Sequence, residues 1–308
     1  MARTLVVGYG SIGERHGRLL AELGHEVAVV SRRAISHSSK FSAVADAMRA
    51  IKPEYVVIAN ETSAHRSTVA ALVACNFSGI ILIEKPLFEC TSSRDATDRA
   101  NTYVGYALRF HPLMVQLREW VRTRRVVSAS IHVGQNLSRW RPGRDLRDSY
   151  SAQPALGGGV LRDLSHELDY AIWLFGAWRR VAAIGGASGV LGIEADDHWS
   201  IVAEFDRCPQ VSMTLSYLDE PPRRQIVVNT DSGTASVDLL RGSFQTSEQP
   251  EPDRIRVDRD ELYRQQHKVI LSGCPGQACT YGEGLAVVLF IEAIESAART
   301  GFWIAGYR

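Results

Sequence analysis

Apolar positions in this chain follow one pattern over about the first 105 residues and another after residue 126. Early on, short continuous apolar runs recur at 3–7, 26–30, 55–59 (Tyr-Val-Val-Ile-Ala) and 80–83 (Ile-Ile-Leu-Ile), with a shorter one at Tyr103–Tyr106. Apolar residues at helical spacing fill the intervals at about 12–23, 42–51 and 65–75. Strands that are apolar along their whole length and joined by helices predict a parallel sheet covered on both faces.

Alternating patterns then take over at 126–133, 179–187, 197–205, 210–217 and 224–230, and at 234–240 after an Asp231-Ser-Gly233 turn. Period-two segments with tight turns predict an antiparallel sheet with one face toward solvent. A helix from Pro112 to Val121 bridges the two regions. A second helix, Val160 to Phe175, is closed by Gly176, and a last one covers about 283–299. Residues 244–262 are acidic and punctuated by proline, which reads as a loop. The fold class is therefore α/β: a doubly wound parallel sheet in a domain over 1–108, then an α+β domain over 109–308 with a largely antiparallel open sheet. The final helix is expected to pack back on the first domain.

The first strand ends in Gly8-Tyr-Gly10-Ser-Ile-Gly13, and a helical pattern follows at once. In that setting Gly8 allows the turn, Gly10 lets a pyrophosphate approach the backbone, and Gly13 lets helix and strand pack closely. Ser11 and Ile12 open a helix whose free N–H groups face the phosphates. A dinucleotide cofactor is expected here, against the plain alternative of a glycine-rich turn. After the second strand the chain reads Ser31-Arg32-Arg33, without the carboxylate that would bind ribose hydroxyls and repel a 2′-phosphate. A hydroxyl and guanidinium groups suit that phosphate. NADP(H) is expected ahead of NAD(H), unless the two arginines are only a solvated loop.

With 308 residues, 45% hydrophobic and 22% charged, the chain is long enough for two cores. A net charge of +1 and the lack of a basic, aromatic stripe argue against nucleic acid. No apolar run is of membrane-spanning length. The amino terminus runs straight into the first strand, so no signal peptide is expected. Cys75, Cys90, Cys208, Cys274 and Cys279 are scattered and odd in number, consistent with reduced thiols in the cytoplasm. No metal site is expected: Cys274 and Cys279 lack a second ligand pair, and Asp196, Asp197 and His198 open an alternating strand.

Only four of the 35 basic residues are lysines: Lys40, Lys52, Lys85 and Lys268. A chain so biased toward arginine invites a specific reason for each amine it keeps. Lys85 stands in Glu84-Lys85-Pro86, directly after the fourth strand, at the carboxyl edge where such sheets bind ligands. There an ammonium can stabilise charge on a reacting oxygen; the bland alternative is a surface ion pair with Glu84. The second constellation is Gly157-Gly-Gly159-Val-Leu-Arg-Asp163-Leu-Ser-His166-Glu-Leu-Asp169-Tyr170. On one helix Asp163, His166 and Asp169 or Tyr170 share a face. A carboxylate-oriented histidine can exchange a proton; otherwise His166 is a core histidine and Asp163 a helix-dipole residue. The loop Arg139-Trp140-Arg-Pro-Gly-Arg144, with Arg147, could clamp an anionic substrate group.

These motifs, with Ile58-Ala-Asn-Glu-Thr-Ser-Ala-His65 and Gly105-Tyr-Ala-Leu-Arg-Phe-His-Pro112, resemble the Gfo/Idh/MocA family of sugar and inositol oxidoreductases over nearly the whole length. The resemblance implies a Rossmann domain, a second domain whose open sheet packs in homodimers or homotetramers, and a reaction on a hydroxyl or keto group of a sugar, cyclitol or nucleotide-sugar. It implies that Lys85 assists the oxygen, that His166 is the general acid/base with Asp163 beside it, and that Asn60, Thr62, His65 and Glu84 border the cofactor. Tyr106, Arg109 and His111 would line the substrate pocket, with Trp140 and Arg144 from the basic loop. The family usually leaves three residues between the Asp and the His; here only two intervene. The rival readings are a non-catalytic dinucleotide sensor on the same fold and a reductase of imines or conjugated enones.

Overall fold

The structure is a computed structural model, described over residues 2–92, 100–140 and 145–306. In chain order it runs β1 (Arg3–Val7), α1 (Ser11–Glu22), β2 (Glu26–Val30), β3 (Lys40–Phe41), α2 (Val44–Ile51), β4 (Tyr55–Ile58), α3 (Thr62–Ala74), β5 (Ile80–Ile83) and β6 (Thr102–Val104). Then follow α4 (Pro112–Arg122), β7 (Val126–Gly134), α5 (Val160–Asp163), α6 (His166–Phe175), β8 (Trp178–Gly186), β9 (His198–Phe205), β10 (Cys208–Ser216), β11 (Arg223–Thr230), β12 (Gly233–Asp238), β13 (Ser243–Thr246) and β14 (Asp253–Arg254). The chain closes with α7 (Arg259–Leu271), β15 (Cys279–Thr280), α8 (Tyr281–Thr300) and β16 (Ile304–Ala305).

These elements divide into two compact units. The first comprises Met1–Ala107 with Asp258–Leu285, the second Leu108–Val257 with Ala286–Arg308. The expected division at 108/109 thus needs an amendment, because the segment after β14 returns to the first unit.

In the first unit the strand order is β15-β6-β5-β4-β1-β2-β3. Strands β1 to β6 pair in parallel, and β15 adds an antiparallel edge. This is the doubly wound order, with the direction of winding reversing at β1. Every residue of β4 is buried, as are all but the first of β1 and β5, which is why these strands read as unbroken apolar runs.

In the second unit nine strands follow the order β14-β13-β12-β11-β7-β10-β9-β8-β16, and only β7 and β10 pair in parallel. One face buries Val211, Met213 and Leu215 of β10 and Ile201 and Ala203 of β9. Opposite it Ile184 and Val202 stand exposed. The mixed α/β class read from the sequence is the observed one. No helix among the described residues is long and apolar enough to cross a membrane.

Two expectations are corrected. The helix expected over Val160–Phe175 breaks at Leu164 and Ser165, so Asp163 ends α5 and His166 begins α6. The expected loop at 244–262 holds β13, β14 and the first turn of α7, capped by the Asp258 carboxylate on the Asp260 amide at 3.0 Å.

Candidate functional site

At the carboxyl ends of β1, β2, β4 and β5 the first unit gathers most residues expected to hold a cofactor. Gly8 adopts φ +90°, and a Cβ there would lie 2.4 Å from the Asn60 amide nitrogen. At Gly13 a Cβ would come within 1.9 Å of the Gly8 carbonyl oxygen, so both glycines are required by packing. Gly10 differs. Its φ of −85° suits any residue, and a Cβ would meet only Arg33 Nη1 at 3.7 Å, an ordinary contact. The protein's own packing leaves that space open.

Gly10 is the N-cap of α1 and offers no side-chain acceptor to the first turn. Those amides remain available for an anion. Ser11 is exposed and Ile12 half-buried. Ser31 is buried and accepts from the Arg33 amide at 3.2 Å, which shapes the turn carrying the exposed Arg32 and Arg33. Asn60 Nδ2 donates to Thr68 Oγ1 at 2.9 Å, while its Oδ1 is buried without a partner. The open space at Gly10, the uncapped amides and this orphan oxygen all fit a nicotinamide dinucleotide along this edge.

Lys85 is half-buried directly beyond β5, and its bond to Pro86 is cis. His65 does not border this edge from outside. It is buried, with Nδ1 3.1 Å from the Leu87 carbonyl oxygen and 3.2 Å from that of Pro86, and Nε2 3.2 Å from that of Asn60. Burial lowers its pKa against the raising effect of those carbonyls. It ties the start of α3, where Thr62 is also buried, to the Lys85 turn. Glu84 likewise faces inward: His16 Nε2 lies 3.0 Å from its Oε1, and the Lys85 amide donates to its Oε2 at 3.3 Å. Burial alone would raise the Glu84 pKa, but the His16 hydrogen bond, the charge His16 carries when protonated, and then the Lys85 charge bring it below the usual carboxylate range.

In the second unit Asp163 and His166 are both half-buried, on either side of the helix break. Asp163 Oδ2 accepts from the Tyr217 hydroxyl at 2.6 Å. Burial and then the Asp163 charge raise the Tyr217 pKa well above its ordinary value and keep the phenol protonated. The ring of Trp140 meets Tyr217 edge-on at 5.4 Å, and its indole Nε1 is buried without a partner. The glycines before α5 serve internal packing. A Cβ on Gly159 would come within 2.0 Å of Asp196 Oδ1, and Asp196 Oδ2 accepts from the Leu161 amide and Trp199 Nε1.

Three residues expected in the substrate pocket are buried, two of them with partners inside the fold. Tyr106 is wholly buried in the first unit. Arg109, 1% exposed, forks onto Asp169, with Nη2 2.7 Å from Oδ1 and Nε 3.0 Å from Oδ2. Its planar guanidinium finds a matched carboxylate inside the fold. His111 caps α4 by accepting from the Leu113 amide at 3.2 Å; burial, and then the Arg224 charge, pull its pKa down to about 4. Arg224 in turn forks onto the fully buried Glu167 at 2.8 and 2.9 Å. Arg144 lies outside the described residues.

Sequence reasoning missed Tyr217, His16 and His267. The signal for Tyr217 was present, since it continues the buried alternation of Val211, Met213 and Leu215. His16 lies on the same helical stripe as Leu19 and Leu20, which are buried with it.

Fold and site together define a two-unit α/β protein: a doubly wound parallel-sheet unit and an open-sheet unit carrying Asp163 and His166. Residues 115–236 match the model of the GFO/IDH/MocA C-terminal domain, so the resemblance read from the motifs is shown in the second unit. No curated protein matches the sequence. Among solved structures, GenD2 from gentamicin A biosynthesis in complex with NAD is similar at 20% identity and TM-score 0.82, covering 100% of this chain and 97% of that one. A levoglucosan dehydrogenase in complex with NADH matches at 14% identity and TM-score 0.82, covering 100% and 99%. The WlbA dehydrogenase from Bordetella pertussis, in complex with NADH and UDP-GlcNAcA, matches at 18% identity and TM-score 0.80, covering 99% of each chain. At these identities the likeness is one of fold.

Proposed function

We propose that the protein is a nicotinamide-dependent oxidoreductase acting on a hydroxyl or keto carbon of a sugar, cyclitol or nucleotide-sugar. The observation that carries this reading is the shared sheet edge in the first unit. There an uncapped helix start lies within Gly8–Gly13, and Lys85 stands beyond β5. The sugar dehydrogenases of similar fold, which hold NAD or NADH, support it. Gly8, Gly10 and Gly13 would admit the pyrophosphate to the amides of Ser11 and Ile12, with Asn60 and Thr62 alongside. Ser31, Arg32 and Arg33 would take a 2′-phosphate, which favours NADP(H).

When bound, the coenzyme supplies or accepts the hydride. Lys85 binds the substrate oxygen and stabilises negative charge on it. A carbinol oxygen must also gain or lose a proton, and His166 is the residue assigned to it. Asp163, held by the Tyr217 hydroxyl, sits near the start of α6. The face of the second sheet that exposes Ile184 and Val202 would pair copies of the chain in a homo-oligomer, which analytical ultracentrifugation can check.

The test is Lys85→Ala. Turnover should fall by about 10²–10³ or more, while NADPH binding, followed by nucleotide fluorescence, stays within a few-fold of wild type. Unchanged kcat would remove Lys85 from the mechanism. Retained turnover in His166→Ala would favour reduction of an imine or enone, which needs no such proton carrier. Parallel titrations with NADPH and NADH decide the coenzyme.

A further inference from the structure

A chain of polar side chains crosses the interior of the first unit. The Tyr55 hydroxyl, at the start of β4, lies 2.9 Å from His267 Nδ1 on α7. His267 Nε2 lies 2.8 Å from His16 Nδ1 on α1, and His16 Nε2 lies 3.0 Å from Glu84 Oε1. All four residues are buried, the two histidines completely. Nothing in the proposed chemistry uses Tyr55, His16 or His267.

An ionised Glu84 and two neutral imidazoles together set a direction. An ionised carboxylate can only accept, so His16 Nε2 carries a proton and donates it to Glu84. With both imidazoles neutral, His16 Nδ1 then accepts from His267 Nε2–H, and His267 Nδ1 accepts from the Tyr55 hydroxyl. This arrangement satisfies all three bonds at once. A second proton on His16 would reverse the chain and strip the Tyr55 proton of its acceptor. We propose that Tyr55, His267 and His16 form a one-way hydrogen-bond relay that pins Glu84 as an anion and so braces the Lys85 turn, with His16 as its positioning residue. Only the role given to Lys85 rests on the proposed function; the relay stands on the geometry and those protonation states.

Several neighbours constrain the carboxylate. His16 faces it from α1, and His65 from α3, Tyr55 from β4 and Tyr263 from α7 act on it electrostatically. Lys85 adjoins it, and Tyr263 packs edge-on against His16 with ring centroids 5.3 Å apart. A Cβ on Gly105 would fall 2.6 Å from Glu84 Oε1, so that side is closed as well. Of these neighbours His16 alone donates a side-chain proton to Glu84 across a recorded hydrogen bond. Without it, burial would push the carboxyl toward its neutral form.

The scarcity of lysine makes the relay measurable. Selective 15N-lysine labelling gives four backbone signals, from Lys40, Lys52, Lys85 and Lys268, and Lys85→Arg identifies the one of interest. The Lys85 amide donates to Glu84 Oε2, so its shift reports the titration of that carboxyl. His16→Asn keeps an amide near the former Nδ1 and gives up the bond to Glu84; His16→Gln does the reverse. The midpoint read at the Lys85 amide should rise by about one pH unit or more in His16→Asn and stay near wild type in His16→Gln. Equal displacement in both, or none in either, overturns the proposal.

Long-range 15N–1H spectra of the wild-type imidazoles need no variant. Both histidines should be neutral with the proton on Nε2, and an Nδ1–H form or an imidazolium at either site overturns the relay. In the working enzyme the acidic limb of kcat should follow the amide midpoint upward in His16→Asn, with coenzyme affinity unchanged. A limb that stays in place overturns the bracing of Lys85. An absence of sugar oxidoreduction in the wild type would sink the proposed function and leave the two spectroscopic tests of the relay intact.

Discussion

Each unit buries carboxylates, but they are matched in different ways. In the second, Glu167 and Asp169 lie two residues apart on α6, and each meets an arginine in a forked pair. In the first, Glu84 meets an imidazole backed by a second imidazole and a phenol. A fork neutralises charge locally and is all-or-none: removing one partner strands a full charge in the interior. A chain of neutral donors changes by degrees, because each link polarises the next. The forks hold α6 in register, whereas the imidazole chain can tune the carboxyl it serves.

The strongest way to break the comparison is Arg109→Ala. Stranding Asp169 should cost about 3–5 kcal/mol of stability, read by urea denaturation. A folded variant with only a raised KM would instead restore Arg109 to the substrate pocket. Next is the pH response of the second unit. The His111 pKa of about 4 lies below its ordinary 6.5, so the unfolded chain takes up a proton between those values while the native protein does not. Stability is therefore complete above pH 6.5 and declines as pH falls toward 4, by roughly 3 kcal/mol at most from this residue. His65 and His267, also held below their ordinary value by burial, act in the same direction in the first unit. His111→Asn keeps an N-capping oxygen and loses the titration. Its melting temperature should fall less steeply between pH 6.5 and 4 than that of wild type, and an identical slope would refute the assignment. The smallest effect is expected of Tyr217→Phe, which removes one hydrogen bond to a charged group and should cost about 1.5–3 kcal/mol.

The sheets were legible because the sequence signals for strands are local. Continuous apolar runs gave β1, β2, β4 and β5, and period-two patterns gave β7 to β12. Helix α7 was hidden because its buried positions, Leu262, Tyr263, Gln266, His267 and Ile270, include a glutamine and a histidine. An inward stripe of that composition does not register as apolar. The break between Asp163 and His166 was invisible because Leu164 and Ser165 both tolerate a helix. The partners of Arg109 and His111 were illegible for another reason. A polar residue beside a recognisable motif suggests exposure to ligand, and nothing local announces an Asp169 sixty positions away. The packing need for Gly8 and Gly13 was legible because it arises within one strand–turn unit.

One consequence follows from the return of Asp258–Leu285 to the first unit. His16 and Tyr55 emerge early from the ribosome, but their shared partner His267 is made only after some two hundred further residues. The amino-terminal sheet must therefore wait, with polar side chains facing an unfilled gap, until Asp258–Leu285 has been synthesised. Folding of the first unit is thereby tied to the arrival of α7, and a fragment ending near residue 108 would lack the helix that completes its interior.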